Sequence, residues 1–370
     1  MKVLNIIWKF TTGGIGKCFL TYAQCNDVKN DIKIISACID PQNFNYDRTP
    51  LNNNSIGIIP IKNRKDLKWI NKLYKLIINE KPDLIFTHGL YGPIIIEVTK
   101  FFHPSIRKIP MLVSFHGLYN PPTSKTAPLA HILNKTMAWI CKYRAERTII
   151  VSKYAGEYLL QEGVPANKLS IVYNGIPAQI PEYPPIELPD DIIKIGFIGR
   201  IDEIKGLEYL LEAAAKLKQK HIENFHIYIV GDGPKSDDLK ALTKHLNIEK
   251  HIDFVGYQNN IASWLNAWDI FVLPSLQENH SIALLEAMRA GKAIICTEIG
   301  GNKESVTHEK EALLIPCKNS EALELALDKL LHSKELRDFL GNNAKMRFID
   351  NFTEEQTKKT LIEIFKSYKK

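Results

Sequence analysis

Pro177 to Asp191 reads PAQIPEYPPIELPDD, and this stretch decides how the chain is divided. Each proline fixes φ and removes a backbone N–H, so a segment this rich in proline forms neither a regular helix nor a central strand. On its N-terminal side the sequence alternates short β-branched runs with amphipathic stretches: KVLNIIW, DIKIIS, SIGIIPI, DLIFTH, MLVSFH, RTIIVS and LSIVYN read as strands. On its C-terminal side the same rhythm restarts with IIKIGFIG, FHIYIVG, HIDFVG, DIFVLP and KAIICT. Strands that alternate with helical segments build parallel sheets covered by helices. The expectation is therefore an α/β protein of two Rossmann-like domains facing across a cleft. Residues 1–178 form the first domain, 179–191 a Pro-rich linker and 192–352 the second domain. Residues 353–370 form a terminal helix that packs back across the junction.

The 370 residues exceed what one core usually organises. With 45% hydrophobic and 24% charged residues, the composition is that of an ordinary folded chain. The formal charge of +7 draws anionic partners: nucleotide phosphates, anionic lipid or nucleic acid. No finger spacing, RNP-like aromatic motif or basic heptad region is present, which argues against nucleic acid. Cys18, Cys25, Cys38, Cys141, Cys296 and Cys317 are scattered, without a C-x-x-C pair, so reduced, mostly buried thiols are expected rather than a zinc site. The apolar start Met1 to Trp8 is too short for a signal-peptide core, and no run reaches membrane-spanning length. A cytoplasmic protein is expected.

Open parallel sheets bind ligands beyond the carboxyl ends of their strands, so the strand ends are where chemistry is sought. After the first strand, Thr11-Thr12-Gly13-Gly14-Ile15-Gly16-Lys17 lets backbone approach a ligand and opens a helix N-terminus. It is not G-x-G-x-x-G, and Cys18 stands where a phosphate loop carries Ser or Thr, so a tight strand-to-helix turn explains it equally well. His88 and His116 each stand just past a strand and before glycine, and His116 is the stronger candidate because its loop continues into Pro-rich sequence. After the linker, Arg200 follows Gly199 at a strand end and Lys205 precedes Gly206 at a helix start, an arrangement that suits a diphosphate. Glu278 precedes Glu286 by two helical turns. The first is placed to bond sugar hydroxyls. The second sits among Ala283, Leu284, Leu285, Ala287 and Met288, where a carboxylate is costly unless it is paired or bonded to a ligand such as the cis hydroxyls of a ribose.

Taken together, TTGGIGK, SFHGL, VSKYAGEYL, VYNGIP, GFIGRIDEIKGLEYLLEAAAKL, IVGDGP, FVGY and PSLQENHSIALLEAMRAGKAIICTEIGGNKE resemble the family-4 retaining glycosyltransferases of the GT-B fold across nearly the whole chain. The last segment holds the family's Glu-x7-Glu signature. The resemblance implies transfer of a hexose-type sugar from a nucleotide diphosphate sugar to a glycan or glycolipid acceptor, with the acceptor side in the first domain and the donor side in the second. It places Arg200 and Lys205 on the diphosphate and Glu286 on the ribose. Glu278, with the backbone of Asn279, His280, Ser281 and Ile282, falls on the donor sugar. His116 falls near the reacting face, Gly14 and Gly16 near the phosphates or acceptor, and the turn around Gly256 near the base. His116, Glu278, Arg200 and Lys205 are the catalytic candidates. Many relatives carry Glu-Gly-Phe-Gly where this chain has Glu278-Asn279-His280-Ser281, so an extra imidazole is expected in this loop.

Bacterial surface polysaccharide or lipopolysaccharide synthesis is the expected setting, with the inner face of the membrane as a candidate partner through the helix bearing Lys68, Lys72 and Lys75. No cofactor and no divalent metal are expected, because no Asp-x-Asp stands at a strand end and Arg200 with Lys205 is placed to neutralise the leaving diphosphate. A nucleotide-sugar epimerase on the same fold, and a non-catalytic nucleotide-sugar or membrane-surface binder, are the alternatives. The missing G-x-G-x-x-G makes a nicotinamide dehydrogenase remote.

Overall fold

A computed structural model describes residues 1–10, 13–41, 49–61, 66–118, 127–180 and 182–369. It divides the chain into two compact units, Met1–Gly175 with Glu354–Lys370, and Ile176–Thr353. Thr11 and Thr12 of the glycine-rich loop, and the segment after Leu118, lie outside the described residues.

The first unit is built on seven strands: β1 (Lys2–Ile7), β2 (Lys33–Pro41), β3 (Gly57–Ile61), β4 (Leu84–His88), β5 (Met111–Phe115), β6 (Arg147–Ile150) and β7 (Leu169–Ile171). All pairings are parallel and the order is β3-β2-β1-β4-β5-β6-β7. Alternate residues of a strand face opposite sides, and here both sides are covered. Leu4 and Ile6 pack with Leu73, Ile96 and Met137 of one helical layer, while Val3 packs with Tyr22, Leu361 and Phe365 of the other. The latter pair comes from the terminal helix Glu354–Lys366, so the end of the chain completes the core of the first unit; Phe365 stacks edge-on against Phe86 of β4.

The second unit repeats the plan with β8 (Ile193–Ile198), β9 (Phe225–Val230), β10 (Ile252–Gly256), β11 (Ile270–Leu273), β12 (Ala293–Thr297) and β13 (Leu313–Ile315), ordered β10-β9-β8-β11-β12-β13 and parallel throughout. The three-residue strand Leu313–Ile315 was not among the runs read from the sequence.

The stretch expected as a linker, 179–191, clusters with the second unit, whose boundary falls at Ile176. The physical reason is hydrogen bonding. Buried Arg289 donates from Nη1 to the carbonyls of Pro177 (2.9 Å) and Gln179 (3.3 Å), and Ser263 Oγ donates to the carbonyl of Pro184 (2.8 Å). Prolines lack N–H groups but keep their carbonyls, and the second unit captures these. Five of the six cysteines are buried free thiols and Cys317 is half-buried.

Candidate active site

In each sheet the strand order reverses once, between β1 and β4 in the first unit and between β8 and β11 in the second. Crevices at the carboxyl ends beside such reversals are where α/β sheets take ligands. The glycine-rich loop follows β1 and His88 ends β4 at the first reversal, and Arg200, Lys205 and Glu278 stand on the loops after β8 and β11 at the second, whereas His116 follows β5 and Gly256 ends β10.

In the second unit the loops after β8 and β11 are bonded to each other. Leu276 N–H donates to the Ile204 carbonyl at 2.7 Å. Gly206, at φ +60°, caps helix Leu207–Gln219, and a Cβ there would lie 2.4 Å from the Pro274 carbonyl oxygen. Both the left-handed backbone and the close approach require glycine. This contact brings Lys205 to the β11 loop, where its Nζ meets Glu278 Oε1 at 2.6 Å; Ser275 Oγ donates to the same oxygen at 2.9 Å. Both charged side chains are largely enclosed, 18% and 10% exposed. Arg200 is different: its guanidinium is 71% exposed, held by Nε and Nη2 on Asp202 Oδ2 at 2.6 and 2.5 Å. Lys205 and Arg200 are thus both aimed by carboxylates. Asp202, which the sequence reading passed over, has the signal of an acid two residues from the arginine.

The β12 loop closes the other side. Gly301 N–H donates to the Glu278 carbonyl at 3.1 Å, and a Cβ on Gly301 would stand 1.9 Å from the Asn279 carbonyl oxygen. Ser281 caps helix Ile282–Arg289, its Oγ accepting from Leu284 N at 3.4 Å, and the first-turn N–H groups, Ile282 among them, have no carbonyl of their own helix to bond. His280 does not present an imidazole in this loop as expected. It is 5% exposed, packed on Phe352 with ring centroids 5.4 Å apart, and burial pushes its pKa down to about 3. Glu286 is buried, and Arg289 one turn on feels its charge. This arginine, which the sequence reading did not single out, ties the Glu286 helix to the proline stretch. Gly256, at φ +78° with open space beside it, ends β10 and accepts from Gly231 N–H at 2.9 Å; neighbouring Tyr257 is 63% exposed.

In the first unit Gly14 opens helix Gly14–Ala23 and Gly16 is buried in its first turn. Cys18, in the position a phosphate loop gives to a hydroxyl, points away into the packing, where its thiol donates to Asn174 Oδ1 at 3.0 Å and burial raises its pKa to about 12. His88 is a structural residue: 1% exposed, boxed by Phe19, Tyr22 and Phe86, it donates from Nε2 to Asn5 Oδ1 at 2.5 Å, and Asn5 Nδ2 donates to Ser36 Oγ at 3.0 Å. His116 lies just past the end of β5, half-buried, its Nε2 within 3.0 Å of the Ser114 hydroxyl. Desolvation lowers its pKa to about 4, so at neutral pH it is an uncharged hydrogen-bonding group. Among the described residues, no group of three or more His, Cys, Asp and Glu side chains is arranged to hold a metal ion, and no helix is long and apolar enough to cross a membrane.

Two switch points, one edged by the glycine-rich turn and the other by paired cations and carboxylates, define a protein of the two-domain α/β class. Comparison with known proteins gives the family. The sequence model of "Glycosyl transferases group 1" matches residues 181–347, and that of "Glycosyltransferase Family 4" matches 30–179. An uncharacterized glycosyltransferase of Methanocaldococcus jannaschii is 28% identical over 244 residues, 62% of either chain. The UDP-Gal:alpha-D-GlcNAc-diphosphoundecaprenol alpha-1,3-galactosyltransferase of Escherichia coli is 27% identical over 312 residues, 78% of this chain and 76% of that one. The crystal structure of Anabaena HepE in complex with UDP-glucose superposes with a TM-score of 0.81 at 18% identity, covering 99% of this chain and 100% of the other. The chain belongs to the family-4 glycosyltransferases of the GT-B fold.

Proposed function

We propose that the chain is a retaining glycosyltransferase. It moves a hexose-type sugar from a nucleotide diphosphate sugar to a glycan or glycolipid acceptor, in the assembly of a bacterial surface polysaccharide or lipopolysaccharide. The observation that carries this reading is the Lys205–Glu278–Ser275 cluster beside Arg200 at the β8/β11 reversal. A diphosphate needs cations and a sugar needs a hydrogen-bonding carboxylate, and this edge supplies both within one bonded loop pair. The UDP-glucose in the HepE structure and the nucleotide sugar and diphosphoundecaprenol in the name of the Escherichia coli relative support the choice of donor and of a lipid-linked acceptor.

In this mechanism the bond from the anomeric carbon to the donor phosphate oxygen breaks while the acceptor oxygen bonds to the same face, and the acceptor's proton passes to the leaving phosphate. Negative charge grows on the diphosphate, and Arg200 and Lys205 stabilise it in place of a divalent metal. Glu278, with the backbone from Asn279 to Ile282, holds the sugar, Glu286 takes the ribose and the Gly256 turn takes the base. Gly14 and Gly16 leave room for phosphate or acceptor, and neutral His116 bonds the sugar near the reacting carbon without adding charge there.

The test is a panel of nucleotide diphosphate hexoses incubated in chelator with a bacterial glycolipid fraction, the product linkage read by NMR. An α-linked product from an α-configured donor is expected. An inverted linkage, a requirement for manganese, or an epimerised sugar formed without acceptor would overturn the reading.

A further inference from the structure

The first unit carries an apolar face that its own fold leaves uncovered. Helix Ala127–Tyr143 buries Met137, Ala138, Ile140 and Cys141 in the core. Its opposite stripe, Leu129, Ile132, Trp139 and Tyr143, is 56, 60, 52 and 60% exposed. The spacing places the four on one helical face. The neighbouring helix Tyr91–Phe102 ends in Phe101 and Phe102, which are 70 and 57% exposed. Glu97, one turn before Phe101, bonds Arg144 just beyond Tyr143 at 2.5 Å, so the two aromatic ends belong to the same end of the helical layer. A groove of about 570 Å³ runs along the stripe between Trp139, Tyr143 and Glu162.

Charge narrows what covers this face. Helix Ala127–Tyr143 contains no acidic residue and contributes Lys135 and Lys142, while Arg107 and Lys108 stand exposed just after Phe102. Of the nearby carboxylates, Glu97 pairs with Arg144 and Lys100 and Glu162 with Lys135, and Glu146 stands exposed beyond Arg144, so the cations outnumber the acids on this face. A second copy docked through the same face would set these cations against themselves. A headgroup layer instead fits each part: Trp and Tyr rings settle at the interface with their polar edges in water, and the cations meet anionic lipid.

We propose that this face docks the protein on an anionic lipid bilayer, with helix Ala127–Tyr143 lying in the interface plane. The aromatic stripe, rather than the exposed Lys68, Lys72 and Lys75 of helix Lys68–Glu80, is the anchor; Lys72 is already bonded to the Pro60 carbonyl at 2.6 Å. The inference goes beyond the proposed reaction and does not use the donor site.

Flotation of the full chain with vesicles of phosphatidylcholine alone, or with about a third phosphatidylglycerol, tests it. Wild type is expected to float with the anionic vesicles and to be released by high salt. Trp139→Ser with Tyr143→Ser, and separately Lys135→Glu with Lys142→Glu, should each cut vesicle binding by at least about tenfold. Lys68→Gln with Lys72→Gln and Lys75→Gln should retain most of it. Thermal melts establish that each variant is folded, and the charge variant still decides the question if the aromatic one is not. Absence of wild-type flotation at low salt, or unchanged binding of both variants, would overturn the proposal. So would sedimentation showing a dimer that the aromatic variant dissolves, without vesicle binding. None of these outcomes bears on sugar transfer, which is assayed separately with nucleotide sugar.

Discussion

Lys205 reaches Glu278 from a different loop, and the pair sits where little water screens it. A cation held in this way needs no reorganisation as charge develops on a leaving group, and that gives electrostatic catalysis its magnitude. Lys205→Ala is therefore expected to lower kcat by roughly a hundredfold or more. Arg200→Ala should cost less, because its guanidinium is mostly in solvent. Steady-state rates of the two variants at saturating donor check the ordering, and equal losses would count against it. Glu286→Gln keeps the shape of a buried residue and removes its charge, so nucleotide affinity should weaken by about 1.5–3 kcal/mol while the fold survives. Unchanged affinity would remove the ribose assignment. These residues were legible in the sequence because a glycine at a strand end or a carboxylate among leucines is costly without a reason. The burial of the His280 ring was not legible, because local sequence gave no sign of Phe352, more than seventy residues on, against which the imidazole packs. Arg289 was missed likewise, since its partners are carbonyls of a distant segment.

At the scale of elements, what places these side chains is the contact between strand-end loops. Gly206→Ala would force an L residue into φ +60° and against the Pro274 carbonyl. The expected loss is more than about 2 kcal/mol of stability, together with weaker donor binding, because Lys205 is carried on the same turn. Urea midpoints and a nucleotide titration read the two effects. The loop bearing His280 adds a pH dependence. Its pKa lies near 3 in the folded chain, below the unfolded value of about 6.5, so its contribution is fully present above about pH 6.5 and is lost as pH falls toward the folded value. Between about pH 6.5 and 5 this one residue should remove roughly 1.5–2 kcal/mol, and His280→Leu should flatten the slope of unfolding free energy against pH by that amount. An unchanged slope would show that the imidazole is not buried in solution. Strand positions were legible from β-branched runs because a central parallel strand buries both faces. The sixth strand of the second unit, Leu313–Ile315, was not read. The proline stretch was legible as irregular but not as attached, because proline carbonyls give no sequence signal of who will bond them.

For the whole molecule, the division into two α/β units followed from a rhythm that stops and restarts; the last helix was expected only to pack back across the junction, and its Leu361 and Phe365 join the core of the first unit. Neither pattern names a substrate: the donor and acceptor depend on loop side chains, and folds of this kind host many chemistries. The proposed function requires that the carboxyl edge of the second unit hold a nucleotide diphosphate sugar through its own cations and carboxylates. Titration calorimetry in chelator, with uridine, guanosine, adenosine and thymidine diphosphates and their hexoses against wild type and Lys205→Ala, tests it most directly. At least one of these nucleotides is expected to bind wild type without metal and to bind Lys205→Ala at least about tenfold more weakly. Binding that appears only with added manganese, or that Lys205→Ala leaves unchanged, would contradict it.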